Sequence, residues 1–390
     1  MTNQQKPTGL AKIGREIKRP FRKVWREIKR PFKKLISYTL RKYMFEVFRE
    51  VVGNRQLCKQ IVSEEVAKRA VGLHSLAQRE GFDEHWKNYF SSISLDELSV
   101  RKEVLKRDMD ETSREVVESM FKIRWENFLN MDNIILRGHD ELFFGLTLPN
   151  YKREQDNLNE IFTKYKCPYS SLVSIDGCLP MAYGLKYLPV EVQGAYVSGK
   201  DVIDGGGWCG DTSMMFTEFD TRNVYCFEPN PDSFEGIKEV IADNNEILKG
   251  RKAKITPVPF ALGAEKGSMT LYSSGKFDGS TTSMDRELAN TKYEVKVTSI
   301  DDFVKEHNVN VGIIKLDIEG GEYGVIKGAL NTIKSQRPVL SIAIYHTPRD
   351  FFEIKPMLEE LNLGYKFMVR HFMLRDGWAE YTLLGYVTSD

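Results

Sequence analysis

Short apolar runs recur along the second half of the chain, and stretches with helical periodicity separate them. The runs fall at residues 202–203, 224–227, 255–260, 313–316, 339–345, 367–369 and 381–387. Strands that alternate with helices indicate a doubly wound parallel sheet. Residues 38–130 differ, because they keep a helical pattern throughout. We therefore predict an α/β fold with a mostly parallel sheet, preceded by an α-helical N-terminal region.

The segment 15–36 is both basic and amphipathic. Residues 15–21 (REIKRPF) recur eleven residues later as residues 26–32. Eleven residues are close to three helical turns, so the apolar side chains of the segment share one stripe and the lysines and arginines cover the rest. Pro20 and Pro31 each remove a helix hydrogen bond, which predicts short helices restarted at each proline or one kinked helix.

Charge is distributed unevenly along the 390 residues. Residues 1–50 contain fifteen Lys or Arg and four Glu, or about +11, whereas the whole chain has a net charge of +1. A basic amphipathic segment suits an anionic membrane surface. A helix docked on the catalytic domain, or on a second copy in an oligomer, would use the same apolar stripe. Because the remainder of the chain is acidic, we expect no nucleic acid partner.

The sequence lacks the usual signals of export and of membrane insertion. No apolar run approaches the roughly 20 residues that span a bilayer, and no apolar stretch follows the first basic residues as it does in a signal peptide. The five cysteines are scattered and have no C-x-x-C spacing of the kind found in metal or redox pairs. We predict a cytoplasmic protein, with contact to the inner face of the membrane as a hypothesis.

A glycine-rich turn carries the first candidate site. Residues 201–212 (DVIDGGGWCGDT) predict a short strand, a tight turn and the start of a helix, and the next strand ends at Glu228. Glycines let backbone N–H groups approach a ligand, and a carboxylate at the second strand end suits a ribose diol. Three of the glycines also fit a dinucleotide fold. Asp204 favours S-adenosylmethionine, because it can face the cofactor's amino-acid end, and no hydride-transfer site is recognisable.

A second acidic segment lies at residues 313–322 (IIKLDIEGGE). Strand ends on the carboxyl side of such a sheet carry ligand and substrate groups, so Asp317 and Glu319 are candidate catalytic residues. Glu322 also fits a structural role at the start of the next helix. Three acids could bind a divalent cation, but oxygen ligands at this spacing are no distinctive metal signature, and we assign no metal.

An ordered set of motifs resembles the FkbM family of methyltransferases. The motifs are residues 202–207 and 210–211, 227–229, 260–263, 299–303, 315–322 and 345–346, and the resemblance covers roughly residues 195–390. It implies a seven-stranded Rossmann-like fold and S-adenosyl-L-methionine as methyl donor. In many members of the family it also implies O-methylation of a hydroxyl on a sugar or polyketide.

The resemblance also implies roles for residues in the glycine turn and beyond. Asp204, Gly206 and Gly210 would line the methionine portion of the cofactor. Glu228 would hold the ribose, and Ala261 would lie near the adenine. The full predicted cofactor site consists of Asp204, Gly205, Gly206, Gly207, Gly210, Asp211, Glu228, Pro229, Ala261 and Asp317.

Methyl transfer to a hydroxyl requires a group that takes the hydroxyl proton. Asp317, Glu319 and His346 are the candidates, because each falls at a predicted strand end on the cofactor side. Gly207 and Trp208 stand where family members often have alanine and asparagine, which leaves the contacts of the loop open.

We predict three regions: a basic amphipathic arm at 1–50, a helical or mixed accessory region at 51–195 and an FkbM-like domain at 196–390. The predicted function is methylation of a sugar hydroxyl on a glycan or glycolipid, as in polysaccharide biosynthesis. Two alternatives remain open. One is a methyltransferase that acts on a small natural product or a protein, and the other is a non-catalytic Rossmann-like binding module with a membrane-docking arm.

Overall fold

A computed structural model describes residues 85–129, 165–166, 184–273, 291–371 and 380–388 of the chain. All of them belong to one compact unit, which comprises residues 75–130 and 135–390. The predicted arm at 1–50, with its amphipathic segment 15–36, lies outside the described residues, and its contact with a membrane stays a prediction. Among the helices that are described, none is long and apolar enough to cross a bilayer.

Ten strands and ten α-helices of more than three residues carry the fold in the described ranges, besides a π-helical turn at Gln193–Val197. The strands are β1 (Asp201–Gly205), β2 (Asn223–Phe227), β3 (Lys254–Val258), β4 (Ala261–Leu262), β5 (Gly267–Ser273), β6 (Thr291–Thr298), β7 (Val311–Leu316), β8 (Val339–Ala343), β9 (Lys366–His371) and β10 (Tyr381–Tyr386). The helices are α1 (85–92), α2 (Leu95–Lys106), α3 (Glu111–Leu129), α4 (Asp211–Phe216), α5 (Pro231–Asp243), α6 (Asn245–Leu248), α7 (Ile300–His307), α8 (Glu322–Lys327), α9 (Leu330–Gln336) and α10 (Pro348–Glu359).

Seven strands form the main sheet, in the order β3-β2-β1-β7-β8-β10-β9. The first five are parallel, and β10 is antiparallel to both of its neighbours. Every residue of the central strands β1, β7 and β8 is buried, as expected where helices cover both faces of a parallel sheet. The predicted fold class, an α/β fold with a mostly parallel seven-stranded sheet, is confirmed.

A second, three-stranded sheet of β4, β6 and β5 was not predicted from the sequence. In β6 the exposed residues Lys292, Glu294 and Lys296 alternate with less exposed neighbours. This alternation fits a strand that is covered on one face. The small sheet contributes Ala261, which lies on β4 and is paired with Val297 of β6.

The helices α1, α2 and α3 pack on the main sheet and on α10. Trp86 and Phe90 belong to the same hydrophobic core as the sheet, and the Trp86 ring lies 5.6 Å from that of Phe351. The Ser113 hydroxyl accepts a hydrogen bond from the backbone N–H of Val369 in β9, at 2.9 Å. Residues 85–129, which belong to the predicted accessory region, therefore share a core with the α/β domain. The predicted domain boundaries themselves stay a prediction.

The strand order reverses between β1 and β7. From β1 the chain proceeds to β2 and β3 on one side, and it returns to β7 on the other side of β1. The carboxyl ends of parallel strands open a crevice at such a reversal, and this is where ligands bind in open α/β sheets. Except for Ala261 on β4, the residues predicted for the cofactor and for catalysis lie at or shortly after the ends of β1, β2, β7 and β8, which meet at this edge.

Candidate active site

The glycine turn is pressed between the ends of β2 and β7. The backbone N–H groups of Gly206 and Gly207 both donate to the carbonyl oxygen of Phe227, at 3.2 and 2.9 Å. Gly206 has a φ of +86°, and a Cβ atom there would lie 1.8 Å from the carbonyl oxygen of Asp317. Only glycine fits this backbone conformation at this close approach. The turn is thereby fixed against the strand that carries the second acidic segment.

Gly207 stands where family members often have alanine, and its neighbours explain why this chain has glycine there. A Cβ atom at Gly207 would lie 2.5 Å from the Sγ atom of Cys226, in the adjacent strand β2. An alanine is therefore excluded while Cys226 occupies this place. Trp208, which stands where family members often have asparagine, has a φ of +46° and donates its backbone N–H to Glu228 at 2.8 Å.

Glu228 lies directly after β2 and is buried at the edge of the glycine turn. Its Oε2 accepts the Trp208 N–H, and its Oε1 accepts the N–H of Asn230 at 2.9 Å. Burial raises the pKa of Glu228 to about 7, although the two N–H donors oppose this shift. A carboxylate has about four acceptor sites, so two remain for further donors. A ribose diol offers two such donors, and Glu228 therefore fits the place predicted for the ribose.

Asp204 interacts with two other side chains of the protein, those of Ser213 and Lys315. Its side chain is completely buried; Oδ2 accepts a hydrogen bond from the Ser213 hydroxyl at 2.6 Å, and Oδ1 lies 3.1 Å from Nζ of Lys315. In this structure the cation facing Asp204 is thus Lys315. The prediction that Asp204 faces the amino-acid end of the cofactor stays a prediction.

Lys315 connects β7 to the glycine turn, and sequence reasoning missed it. Its ammonium group is buried and also donates to the carbonyl oxygens of Gly205 and Gly206, at 3.1 and 2.9 Å. Burial alone would lower the pKa of Lys315, but Asp204 and Asp317 outweigh burial and raise it. The signal was present in the sequence, because a lysine within an apolar strand needs a buried partner.

The remaining predicted cofactor residues surround this turn. Asp211 begins α4; its Oδ1 accepts the N–H of Thr212 at 2.8 Å, and burial raises the pKa of Asp211 to about 6. The backbone N–H of Gly210 donates to Gly207 at 2.7 Å and closes the turn. Pro229 is half-buried beside Glu228, and Ala261 is buried. The structure therefore brings the glycine turn, Asp211 and Glu228 together at one sheet edge.

The three predicted catalytic side chains form one cluster. The Nε2 atom of His346 lies 3.4 Å from Oδ1 of Asp317 and 3.8 Å from Oε1 of Glu319. His346 is fully buried, whereas the side chains of Asp317 and Glu319 are 12% and 17% exposed. Tyr345 donates its hydroxyl to Asp317 at 3.3 Å. Asp317 and Glu319 thus form the side of the cluster that faces solvent.

Glu322 supports this cluster from behind. It is fully buried, and its Oε1 lies 2.9 Å from Nδ1 of His346. It also accepts the backbone N–H groups of Ile318 and Gly320, at 2.9 and 3.0 Å. One carboxylate therefore fixes both the histidine ring and the loop that carries Glu319.

The protonation state of His346 bears on the choice of the base. Burial alone would lower the pKa of His346, but the carboxylates of Glu322, Glu319 and Asp317 outweigh burial and raise it to about 10. At neutral pH this ring is protonated and cannot accept another proton. The geometry therefore favours Asp317 or Glu319 as the group that takes a proton from an acceptor.

Residues 195–367 match the family model of the methyltransferase FkbM domain. Residues 195–367 are therefore an FkbM methyltransferase domain. The match confirms the resemblance stated from the sequence, and it confirms S-adenosyl-L-methionine as the cofactor. The glycine turn and Glu228 are consistent with that cofactor. The turn lets a ligand come close to the backbone at the end of β1, and Glu228 offers carboxylate oxygens as acceptors at the end of β2.

A curated relative of the FkbM domain is the hexuronic acid methyltransferase AglP of Haloferax volcanii. It is 29% identical over 143 residues, which are 36% of this chain and 55% of AglP. The chain thus spans about half the length of this relative.

Two solved structures are also similar to the chain. A methyltransferase FkbM from Methylobacillus flagellatus KT is 17% identical, with a TM-score of 0.46, over 73% of this chain and 58% of that one. The fibrillarin of Aeropyrum pernix, solved with natively bound S-adenosyl-L-methionine, is 13% identical, with a TM-score of 0.31, over 53% of this chain and 73% of that one.

Proposed function

We propose that the FkbM domain transfers a methyl group from S-adenosyl-L-methionine to a sugar hydroxyl on a glycan or glycolipid. The observation that carries this proposal is that carboxylates lie on both sides of the glycine turn. Glu228 lies on one side, and the cluster of Asp317, Glu319 and His346 lies on the other. A sugar acceptor is supported by the relative AglP, a hexuronic acid methyltransferase.

Bound S-adenosyl-L-methionine supplies a methyl group on a sulfonium, which an acceptor oxygen can attack in line. The side chains must then hold the acceptor oxygen near the methyl group and take its proton. We assign the ribose to Glu228 and the acceptor proton to Asp317 or Glu319. His346 then acts as a positioning residue, since its ring contacts both of these carboxylates.

Glu228→Gln should weaken binding of S-adenosyl-L-methionine by about 10- to 100-fold, because the charged acceptor of the ribose hydroxyls is lost. The wild-type affinity should also depend on pH. The pKa of Glu228 is about 7 in the free protein, so the ionised form that accepts the hydroxyls dominates above pH 7. Below pH 7 affinity should fall by up to about tenfold per unit, since binding must first remove a proton. Isothermal titration calorimetry between pH 5.5 and 8 measures both effects.

Glu265→Gln is the matched control, because Glu265 is an exposed carboxylate in the turn between β4 and β5. It should keep the wild-type affinity and the wild-type pH profile. A Glu228→Gln protein that binds as tightly as the control, with an unchanged pH profile, would remove Glu228 from the cofactor site. If the wild-type protein did not bind S-adenosyl-L-methionine, the alternative of a non-catalytic binding module would be favoured.

Asp317→Asn should lower kcat by about 10² or more, a larger effect than any on the affinity for S-adenosyl-L-methionine. The amide retains the shape of the side chain and can still accept from Tyr345, but it cannot take a proton. Transfer of a labelled methyl group to an aryl hexuronide measures kcat, and the corresponding neutral hexoside tests whether the acceptor is acidic. Asp243→Asn changes an exposed aspartate at the end of α5 and should behave as wild type. If Asp317→Asn turned over at the wild-type rate, Asp317 would not be the group that takes the acceptor proton.

A further inference from the structure

The cluster around His346 has the donor set of a metal site. One imidazole nitrogen and two carboxylates converge, and one donor atom from each of Asp317, Glu319 and His346 lies within 4.8 Å of the others. Two donors at right angles around an ion, each about 2.1 Å from it, lie about 3 Å apart. The distances of 3.4 and 3.8 Å from Nε2 to the two carboxylate oxygens are slightly longer than this. Small side-chain rotations would therefore bring the three donors to coordinating distance.

Glu322 holds the ring of His346 in the orientation that a metal-binding histidine needs. A histidine that binds a metal through one ring nitrogen commonly donates its other N–H to a carboxylate, which fixes the ring and its tautomer. Here Nδ1 of His346 lies 2.9 Å from the buried Glu322, and Nε2 faces Asp317 and Glu319. The nitrogen directed toward the two partly exposed carboxylates is thus the one that would bind a metal, in exchange for its proton.

A fourth acid gives an independent reason to expect a cation here. Glu380, which precedes β10, interacts electrostatically with Asp317, Glu319 and His346. Its Oε2 atom is buried and has no hydrogen-bond partner within the part of the chain that the structure describes. A buried carboxylate oxygen without a partner is costly unless a positive charge compensates it.

The balance of charge points to a doubly charged ion. The described residues that interact electrostatically with His346 include five carboxyl groups, those of Asp317, Glu319, Glu322, Asp350 and Glu380. The nearby cation Lys315 is already paired with Asp204. His346 can offset one negative charge only while it keeps its proton, whereas a divalent ion would offset two.

We propose that Asp317, Glu319 and His346 bind a first-row divalent metal ion, with Glu322 orienting the histidine and Glu380 adding negative charge. The mixed set of one imidazole and two carboxylates suits ions such as Mn²⁺. A metal ion here would act as a Lewis acid on the acceptor hydroxyl and make its proton easier to remove. This role, but not the binding itself, rests on the proposed methyltransferase function.

Titration of the full chain with Mn²⁺ tests the site directly. After treatment with a chelator and its removal, electron paramagnetic resonance measures free Mn²⁺, and we expect saturable binding of one ion per chain. Glu319→Gln should weaken this binding by at least about tenfold, and Glu322→Gln by about 10- to 100-fold. His346→Ala should abolish it. The controls Glu306→Gln and His307→Ala, on the exposed side of α7, should bind as wild type.

Two results would overturn the metal site. One is a wild-type chain that binds no Mn²⁺, and the other is a Glu319→Gln protein indistinguishable from Glu306→Gln. Glu319→Gln keeps the test decisive if His346→Ala fails to fold, because Glu319 is partly exposed and glutamine has the same shape. S-adenosyl-L-methionine is titrated into the same samples. Cofactor binding without Mn²⁺ binding rejects the metal site alone, whereas Mn²⁺ binding without cofactor binding rejects the proposed function alone.

Discussion

Lys315→Met should lower the free energy of unfolding by about 3–5 kcal/mol, because it leaves the buried carboxylate of Asp204 without its cation. The same change removes the donors to the carbonyl oxygens of Gly205 and Gly206, and these two oxygens are held by the Lys315 ammonium at 3.1 and 2.9 Å. We therefore expect binding of S-adenosyl-L-methionine to be lost together with stability. Urea unfolding followed by tryptophan fluorescence measures the loss of stability.

A double variant separates the unpaired charge from the lost packing. Asp204→Asn combined with Lys315→Met removes both charges, and it should recover part of the stability, because a buried ion pair contributes little net energy when both partners are replaced. Lys249→Met breaks the exposed pair with Glu246 and should change stability by about 0.5 kcal/mol or less. If Lys315→Met were as stable as Lys249→Met, the buried pair would have no structural importance.

Gly206→Ala should destabilise the domain by about 3 kcal/mol and abolish cofactor binding, since two costs combine at this position. The φ of +86° is unfavourable for a residue with a Cβ atom, and that atom would lie 1.8 Å from the carbonyl oxygen of Asp317. The glycine turn must then move away from the end of β7. Urea unfolding and calorimetric titration with S-adenosyl-L-methionine measure the two effects.

Gly194→Ala is the matched control for this substitution. A Cβ atom at Gly194 would meet no atom within 4 Å, and its segment Gln193–Val197 is helical. Alanine there should leave stability unchanged or raise it by up to about 1 kcal/mol. Equal stability and equal cofactor affinity in the two variants would contradict the close packing of the turn on β7.

Much of the α/β fold could be predicted from the sequence, because its central strands are short apolar runs that are visible in the sequence itself. β7 and β8 are buried along their whole length, so their apolar runs have clear ends in the sequence. The small sheet was missed, since the half-exposed strand β6 carries charged residues at alternate positions and has no apolar run. Its assignment depends on pairing with β5, and residues 274–290 separate the two strands along the chain.

The sequence by itself determined where the candidate site lies, because the glycine turn, Glu228 and Asp317 each follow an apolar run and parallel strands end at one edge of a sheet. Only the tertiary structure decided what these groups contact. Register pairs Asp204 with Lys315, so the carboxylate meets an internal ammonium group. Three separate parts of the chain bring Glu322, His346 and Glu380 together. Charge and protonation depend on distances in space, and no local pattern of residues encodes those distances.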